Sequence, residues 1–255
     1  MLRICLVLLA TLLIQASAHA SADGLILRQI EHLGRTFHVA TIDLRVASLD
    51  LYGQRPDGGN VANFTELAAY LDAQDRRLVM GTNGGIFKVS GRPVGLHIER
   101  GVETSAVEVA DGFGNFYLKP NGVFWTDDRG AHVDVTEAWT GGEGVVRLAT
   151  QSGPVLLVDG ALHPAFQEQS LNLLPRSGVG VSDPHTVHLV MSQGSVRFWE
   201  LATLFRDVLG CTDALYLDGV ISQWVDPDHP PGPSVDGRFA SMLVVTVPNT
   251  SEQLR

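Results

Sequence analysis

Cysteine is scarce in this chain. Its 255 residues hold two, Cys5 and Cys211. Cys5 falls inside an apolar leader, so a processed chain keeps only Cys211 and can form no intrachain disulfide. An exported protein of that kind must rely on its core. Cys211 sits between a helix end and a strand, where a small buried apolar side chain is expected rather than a nucleophile. Basic charge is also short. Eighteen Lys and Arg stand against 28 Asp and Glu, a formal net charge of -10. That balance argues against nucleic acid and against an anionic membrane surface as partners. It leaves room for a phosphate-bearing ligand, for which one or two local arginines suffice. Several signatures are missing too: there is no Gly-x-Ser-x-Gly elbow, no His-Glu-x-x-His helix, no paired Cys-x-x-Cys and no Walker loop. No linker, low-complexity tract or tandem array divides the chain.

Arg3 and the apolar run Ile4 to Ile14, followed by Ala18-His19-Ala20, form a secretory signal pattern over residues 1–20. The run is too short and too early for a membrane span. A periplasmic or secreted protein is expected, with no stable membrane insertion after cleavage. Residues 21–255 are then long enough for one domain.

Leu25 to Ile30 and Thr36 to Leu44 read as strands. Asn63-Phe64-Thr65-Glu66 reads as a capping box opening a helix to about Asp75. The strand Leu78 to Thr82 follows. Glycine turns then space short apolar runs, including Asn115 to Leu118, Val123 to Trp125 and Val155 to Val158, a pattern of antiparallel β-structure. Val179 to Val181 and Thr186 to Met191 continue it. Ser195 to Leu209 reads as a helix with Phe198, Leu201, Phe205 and Val208 on one face, stopped by Gly210. Strand Ala214 to Leu217, a polar loop Trp224 to Pro233 and strand Ser241 to Val247 close the chain. The fold class is α+β: a single domain of mixed or antiparallel sheets with two or three helices.

Two strands end alike. One runs into Asn83-Gly84-Gly85 and the other into Asp218-Gly219, and each follows a segment containing Glu-Leu-Ala. This hints that both ends lie on one rim. Asp218 is either a turn residue bonding its own backbone or a functional carboxylate, for which burial is costly without use. Asn83 is either a left-handed turn residue or an amide for a sugar hydroxyl or phosphate oxygen. Arg176-Ser177-Gly178-Val179-Gly180 sets an arginine before a small-residue turn and a strand. It is either a phosphate grip helped by glycine amides or a solvated surface arginine. His97 and Glu99 alternate, so in a strand they share a face. They are either an acid/base pair, a partial metal site, or the solvent side of an edge strand. Asp226, Asp228 and His229 cluster in the polar loop without matching a calcium-loop spacing.

In order, Asn83-Gly84-Gly85-Ile86-Phe87, Gly114-Asn115-Phe116, Lys119-Pro120-Asn121-Gly122-Val123-Phe124, Gln151-Ser152-Gly153-Pro154, Arg176-Ser177-Gly178-Val179-Gly180 and Leu217-Asp218-Gly219 resemble the phosphodiester-glycosidase domain family. That family includes the lysosomal uncovering enzyme and exported bacterial members. The resemblance runs from about Gln29 to Val247. It implies hydrolysis of a sugar joined through its anomeric oxygen to a phosphodiester, with a glycan or sugar phosphate as partner. It also implies site roles for Asn83, Arg176 and Asp218. After Asp-Gly the family pattern continues with glycines and paired serines. Here it reads Val220-Ile221-Ser222-Gln223, so Ser222 alone matches.

The resulting expectation is Asp218 as nucleophile or general base, Glu99 or His97 as partner, and Asn83, Gly84, Gly85, Arg176, Ser177 and Ser222 in substrate binding. Two alternatives stand beside it. One is a non-catalytic carbohydrate-binding protein. The other is a phosphodiesterase dependent on a divalent cation held by Asp218 with the Asp226 loop. No other cofactor is implied.

Overall fold

The computed structural model describes residues 19–53, 59–142, 144–232 and 237–249. In chain order its strands and helices are β1 (His19–Ala22), β2 (Leu25–His32), β3 (Arg35–Asp43), β4 (Leu49–Tyr52), α1 (Phe64–Asp72), β5 (Arg76–Asn83), β6 (His97–Glu99), β7 (Val102–Ser105), β8 (Gly122–Thr126), β9 (Ala131–Val135), β10 (Leu148–Ser152), β11 (Val155–Val158), β12 (Ala161–Leu162), β13 (Ser177–Asp183), β14 (Thr186–Ser192), α2 (Phe198–Thr203), β15 (Asp213–Tyr216), β16 (Trp224–Val225) and β17 (Met242–Pro248). They form three sheets, ordered β1-β2-β3-β14-β13-β15-β11-β12, β7-β6-β10-β8-β9 and β16-β5-β17-β4. Their pairings are antiparallel, as the α+β reading expects. The signal segment lies outside the described residues up to residue 18, and its expected cleavage point falls within β1.

One apolar core joins all three sheets. Leu25, Ile42, Val179 and Leu217 from the first meet Val79, Leu243 and Val245 from the third and Phe124 and Leu148 from the second. Each helix seals an outer face. Helix α1 lays Phe64, Leu67 and Leu71 against Met242 and Val244, and α2 lays Leu201 and Ala202 against Phe37, Val39, Leu156 and Tyr216. Half of the expected capping box of α1 is present: the N-cap Asn63 Oδ1 accepts from Glu66 N at 2.8 Å, while Glu66 Oε2 accepts from Ala62 N, one residue before the cap, at 3.0 Å.

Four expectations are corrected. Asn115 to Leu118 is no strand, because Gly114 turns at φ 93° and Asn115–Tyr117 closes a 3₁₀ turn. The second helix starts at Phe198 rather than Ser195, where Glu200 turns back to accept from Arg197 N at 2.7 Å. It then widens into a π turn, Leu204–Val208, which shifts the phase of its apolar face and leaves Val208 46% exposed. The polar loop begins as a strand, with Trp224 paired to Thr82 and Val225 to Gly81. Cys211 is buried as expected, and burial pushes its thiol up to about 12. Among the described residues no helix is long and apolar enough to cross a membrane.

Candidate functional site

Strand β15 lies inside the largest sheet, between β13 and β11. Alternation sends Leu215 and Leu217 to the shared core and Tyr216 to the α2 side, so the residue after Leu217 faces as Tyr216 does. That residue is Asp218, half-buried, with Oδ1 accepting from Gly219 N at 2.6 Å. Among the described residues Oδ2 accepts no hydrogen bond. Burial raises the Asp218 pKa to about 6, against the opposing pull of the Gly219 amide. Gly219 is required by space: a Cβ there would lie 2.6 Å from the Tyr216 hydroxyl.

The Asp218 main chain is fixed by a hub at Ser177, the first residue of β13. Ser177 Oγ accepts from Asn83 Nδ2 at 2.9 Å, from Ser222 Oγ at 3.0 Å and from Asp218 N at 3.3 Å. Asp218 O accepts from Ser177 N at 2.9 Å and Ser222 Oγ at 3.0 Å. Asn83 Oδ1 accepts from Gln223 N at 3.3 Å. The ends of β5 and β15 therefore share one rim, as their matching sequences hinted. Asn83 is not left-handed. Gly84 and Gly85 are there for room, since a Cβ at Gly84 would run into Ser241 Oγ and one at Gly85 would sit 2.6 Å from the Gln151 carbonyl.

Arg176 is fully buried. Nε donates to Val196 O at 3.0 Å, and Nη2 donates to Asn172 Oδ1 at 3.0 Å and Asn172 O at 3.2 Å. Its guanidinium lies 3.6 Å over the Phe198 ring, and Phe198 in turn stacks on Phe166 at 4.9 Å. Nη1 makes no hydrogen bond among the described residues, and the guanidinium carbon lies 5.7 Å from the centre of the Tyr216 ring. Burial lowers the Arg176 pKa and pushes the Tyr216 pKa up to about 12.

His97 and Glu99 share a face of β6, with Nε2 and Oε2 3.5 Å apart, but that face is interior. Strand β6 is flanked by β7 and β10 and is no edge. Glu99 is balanced there by Arg100 Nη1 at 2.7 Å and Gly53 N at 3.1 Å. His97 lines a cleft of about 560 Å³ with Asn60, Phe87, Arg92, Arg238 and Phe239. Neither Asp218 nor Asn83 is among the cleft's lining residues. The short segment Asn83–Phe87 connects the two places.

A family model described as phosphodiester glycosidase matches residues 76–226. The chain belongs to the phosphodiester glycosidase family. An uncharacterized Escherichia coli K12 protein, YigE, is 31% identical over 188 residues, 73% of each chain. The catalytic domain of zebrafish N-acetylglucosamine-1-phosphodiester α-N-acetylglucosaminidase, auto-inhibited by its pro-peptide, shares the fold. Its TM-score is 0.61 at 16% identity, over 90% of this chain and 81% of that one. A putative exported protein from Burkholderia pseudomallei K96243 also shares it, at TM-score 0.53 and 13% identity, over 86% and 74%.

Within this family member the structure brings Asp218, Asn83, Ser177 and Ser222 together, and it sets His97 and Glu99 apart from them, with His97 alone of the pair lining the cleft. Two sequence readings change. Arg176 is not a surface arginine: it is fully buried, Nε and Nη2 are taken by Val196 and Asn172, and Nη1 is left without a hydrogen bond among the described residues. Gly178 and Gly180 are no anion cradle. They lie within β13, between β14 and β15, where Phe205 leaves no room for a side chain: a Cβ would come 3.1 Å from its ring at Gly178 and 2.5 Å at Gly180. Tyr216 and Asn115, bonded at 3.4 Å, were missed at the site. The signal for Tyr216 was its position two residues before Asp218 on one strand. No local signal marked Phe198 as the cover of Arg176.

Proposed function

We propose that this chain is an exported hydrolase that cleaves a glycosyl phosphodiester at the sugar–phosphate linkage, with Asp218 as the reacting carboxylate. The observation that carries this reading is the lone strand-end carboxylate of a family member, raised to about 6 by burial and mounted on a buried polar hub. A phosphodiester-linked sugar departs from a phosphate that is already a stable anion. It needs less acid assistance than an alkoxide, so one dominant carboxylate suffices where most glycosidases use a balanced pair. In its ionised form Oδ2 attacks the anomeric carbon, or takes the proton of a water that does. The bond from that carbon to the phosphate oxygen breaks, and its electron pair leaves on the phosphate; where Oδ2 itself attacks, water then hydrolyses the glycosyl ester and restores the Asp218 carboxylate.

Asn83, Ser177 and Ser222 act as positioning residues, since their polar atoms hold the Asp218 main chain. Arg92 and Arg238 line the cleft with His97, and we assign them to the group beyond the phosphate, which would run from Asp218 along Asn83–Phe87. An N-acetylglucosamine-like sugar is the substrate class favoured by the zebrafish relative. The test is hydrolysis of an α-N-acetylglucosaminyl phosphodiester by the wild type and Asp218→Asn, run in ¹⁸O water. Label in the sugar and loss of turnover in the variant are expected. Wild-type rates in Asp218→Asn would sink the assignment, and label in the phosphate would point to P–O cleavage. One feature favours a binding protein instead: Val220 and Ile221 are 69% and 42% exposed beside Asp218, where the family pattern has small residues. That reading predicts affinity for the same compound without turnover.

A further inference from the structure

The polar loop after β16 holds a cluster that the proposed reaction does not use. His38 reaches it from β3, in the largest sheet, while Asp226 and His229 come from the loop. One ligand atom of each lies within 4.8 Å of the others. Among the described residues this is the group of three that could hold a metal ion, and Asp218 is not in it. We propose that His38, Asp226 and His229 form a site for one zinc-class divalent cation, which ties the strand leading away from Asp218 to β3.

The donor set favours such an ion. Two imidazoles and one carboxylate suit zinc and its first-row neighbours, whereas calcium and magnesium take mostly oxygen. The cluster is also built before any ion arrives. Asp226 Oδ2 accepts from Trp224 Nε1 at 2.7 Å, a bond that orients the carboxylate as second-shell donors do. Asp226 Oδ1 accepts from His229 Nδ1 at 2.8 Å and from the amides of Asp228 at 2.9 Å and His229 at 2.7 Å. His38 stacks on Trp224 with centroids 5.5 Å apart and meets His229 edge-on at 4.8 Å. Tetrahedral zinc, with bonds of about 2.0–2.1 Å, sets its donors about 3.3 Å apart. The three ligand atoms, within 4.8 Å of one another, would have to close by up to about 1.5 Å to reach that spacing. Water completes the coordination on the loop side, where His229 is exposed.

The position gives the ion a consequence. Trp224 and Val225 pair with β5, Gln223 N bonds Asn83 Oδ1, and Ser222 bonds Ser177. A cation at His38 and His229 would hold the far end of this segment and stiffen the support of Asp218. That support does not depend on which bond the site cleaves.

The experiment is titration of Zn²⁺ into the metal-stripped chain by calorimetry, with Co²⁺ absorption as a spectroscopic readout and Ca²⁺ and Mg²⁺ as comparisons. One zinc per chain is expected, with a rise in melting temperature. His38→Ala and His229→Ala should each weaken binding tenfold or more and abolish the rise. Asp218→Asn should bind zinc as the wild type does, which separates this result from the fate of the proposed reaction. His38 is partly buried, so circular dichroism checks its variant. His229 sits on the exposed loop, and its variant gives an independent reading if His38→Ala fails to fold. Absence of saturable zinc binding, binding unchanged in the His229 variant, or a preference for calcium or magnesium overturns the proposal.

Discussion

Asp218→Asn should make the protein more stable at neutral and alkaline pH while removing its activity. The folded state lifts this carboxyl from an ordinary 3.8 to about 6 because burial disfavours the charge. A carboxyl raised on folding takes up protons in the native state first. Its favourable contribution is fully present below pH 3.8 and is lost as pH rises through about 6. Holding the charge at pH 8 therefore costs about 2–3 kcal/mol, since each pKa unit is worth about 1.4 kcal/mol. Asparagine removes that cost and keeps an oxygen for the Gly219 amide. In a protein of this size about 1 kcal/mol moves the melting temperature by about 2–4 °C. The variant should melt roughly 5–10 °C above the wild type at pH 8. At pH 4.5, where the wild-type carboxyl is mostly protonated in the fold, the gap should shrink to about 1 kcal/mol. Thermal unfolding of both proteins by circular dichroism at the two pH values measures this. A variant no more stable than the wild type at pH 8, or a gap independent of pH, would show that the site does not strain the carboxylate.

Further outcomes follow from the surroundings of Asp218. In the wild type, kcat/KM should rise with pH through about 6 as Asp218 ionises, and a flat profile over pH 5–7 would remove it from the reaction. Ser177→Ala strips the acceptor from Asn83 Nδ2 and Asp218 N. It should cost about 1–3 kcal/mol in chemical denaturation and lower kcat, and a neutral change in both would deny the hub its role. Gly85→Ala forces a Cβ within 2.6 Å of the Gln151 carbonyl and should destabilise by about 1–3 kcal/mol; wild-type stability would contradict that packing. His188 is buried between Thr41 Oγ1 and Ser182 Oγ, each 3.1 Å away, and burial lowers its pKa to about 4. Its depressed pKa costs stability as pH falls from 6.5 toward 4, so His188→Gln should flatten acid-induced unfolding in that window. An unchanged acid limb would mean that another group controls it.

The local sequence determined most of the elements. Partial alternation marked β3 and short apolar runs marked β14 and β17, whose residues are buried almost throughout, and Asn63 with Glu66 marked α1 because orphan amides need an acceptor. Asp218-Gly219 and Asn83-Gly84-Gly85 were legible as matching strand ends, and the order of motifs pointed to the phosphodiester glycosidase family. What only the tertiary structure decided is which way each polar group faces. Arg176 looked like an open fork, but the stack with Phe198 and the carbonyl of Val196 enclose it. His97 and Glu99 alternated as a solvent face would, and sheet order put them inside. The glycines of β13 read as a cradle, yet Phe205, some two dozen residues later, explains them. His38 is nearly two hundred residues from His229 and gave no sign of it. Spacing along a chain reports the period of one element, whereas burial and the meeting of charges depend on which elements the sheets bring side by side.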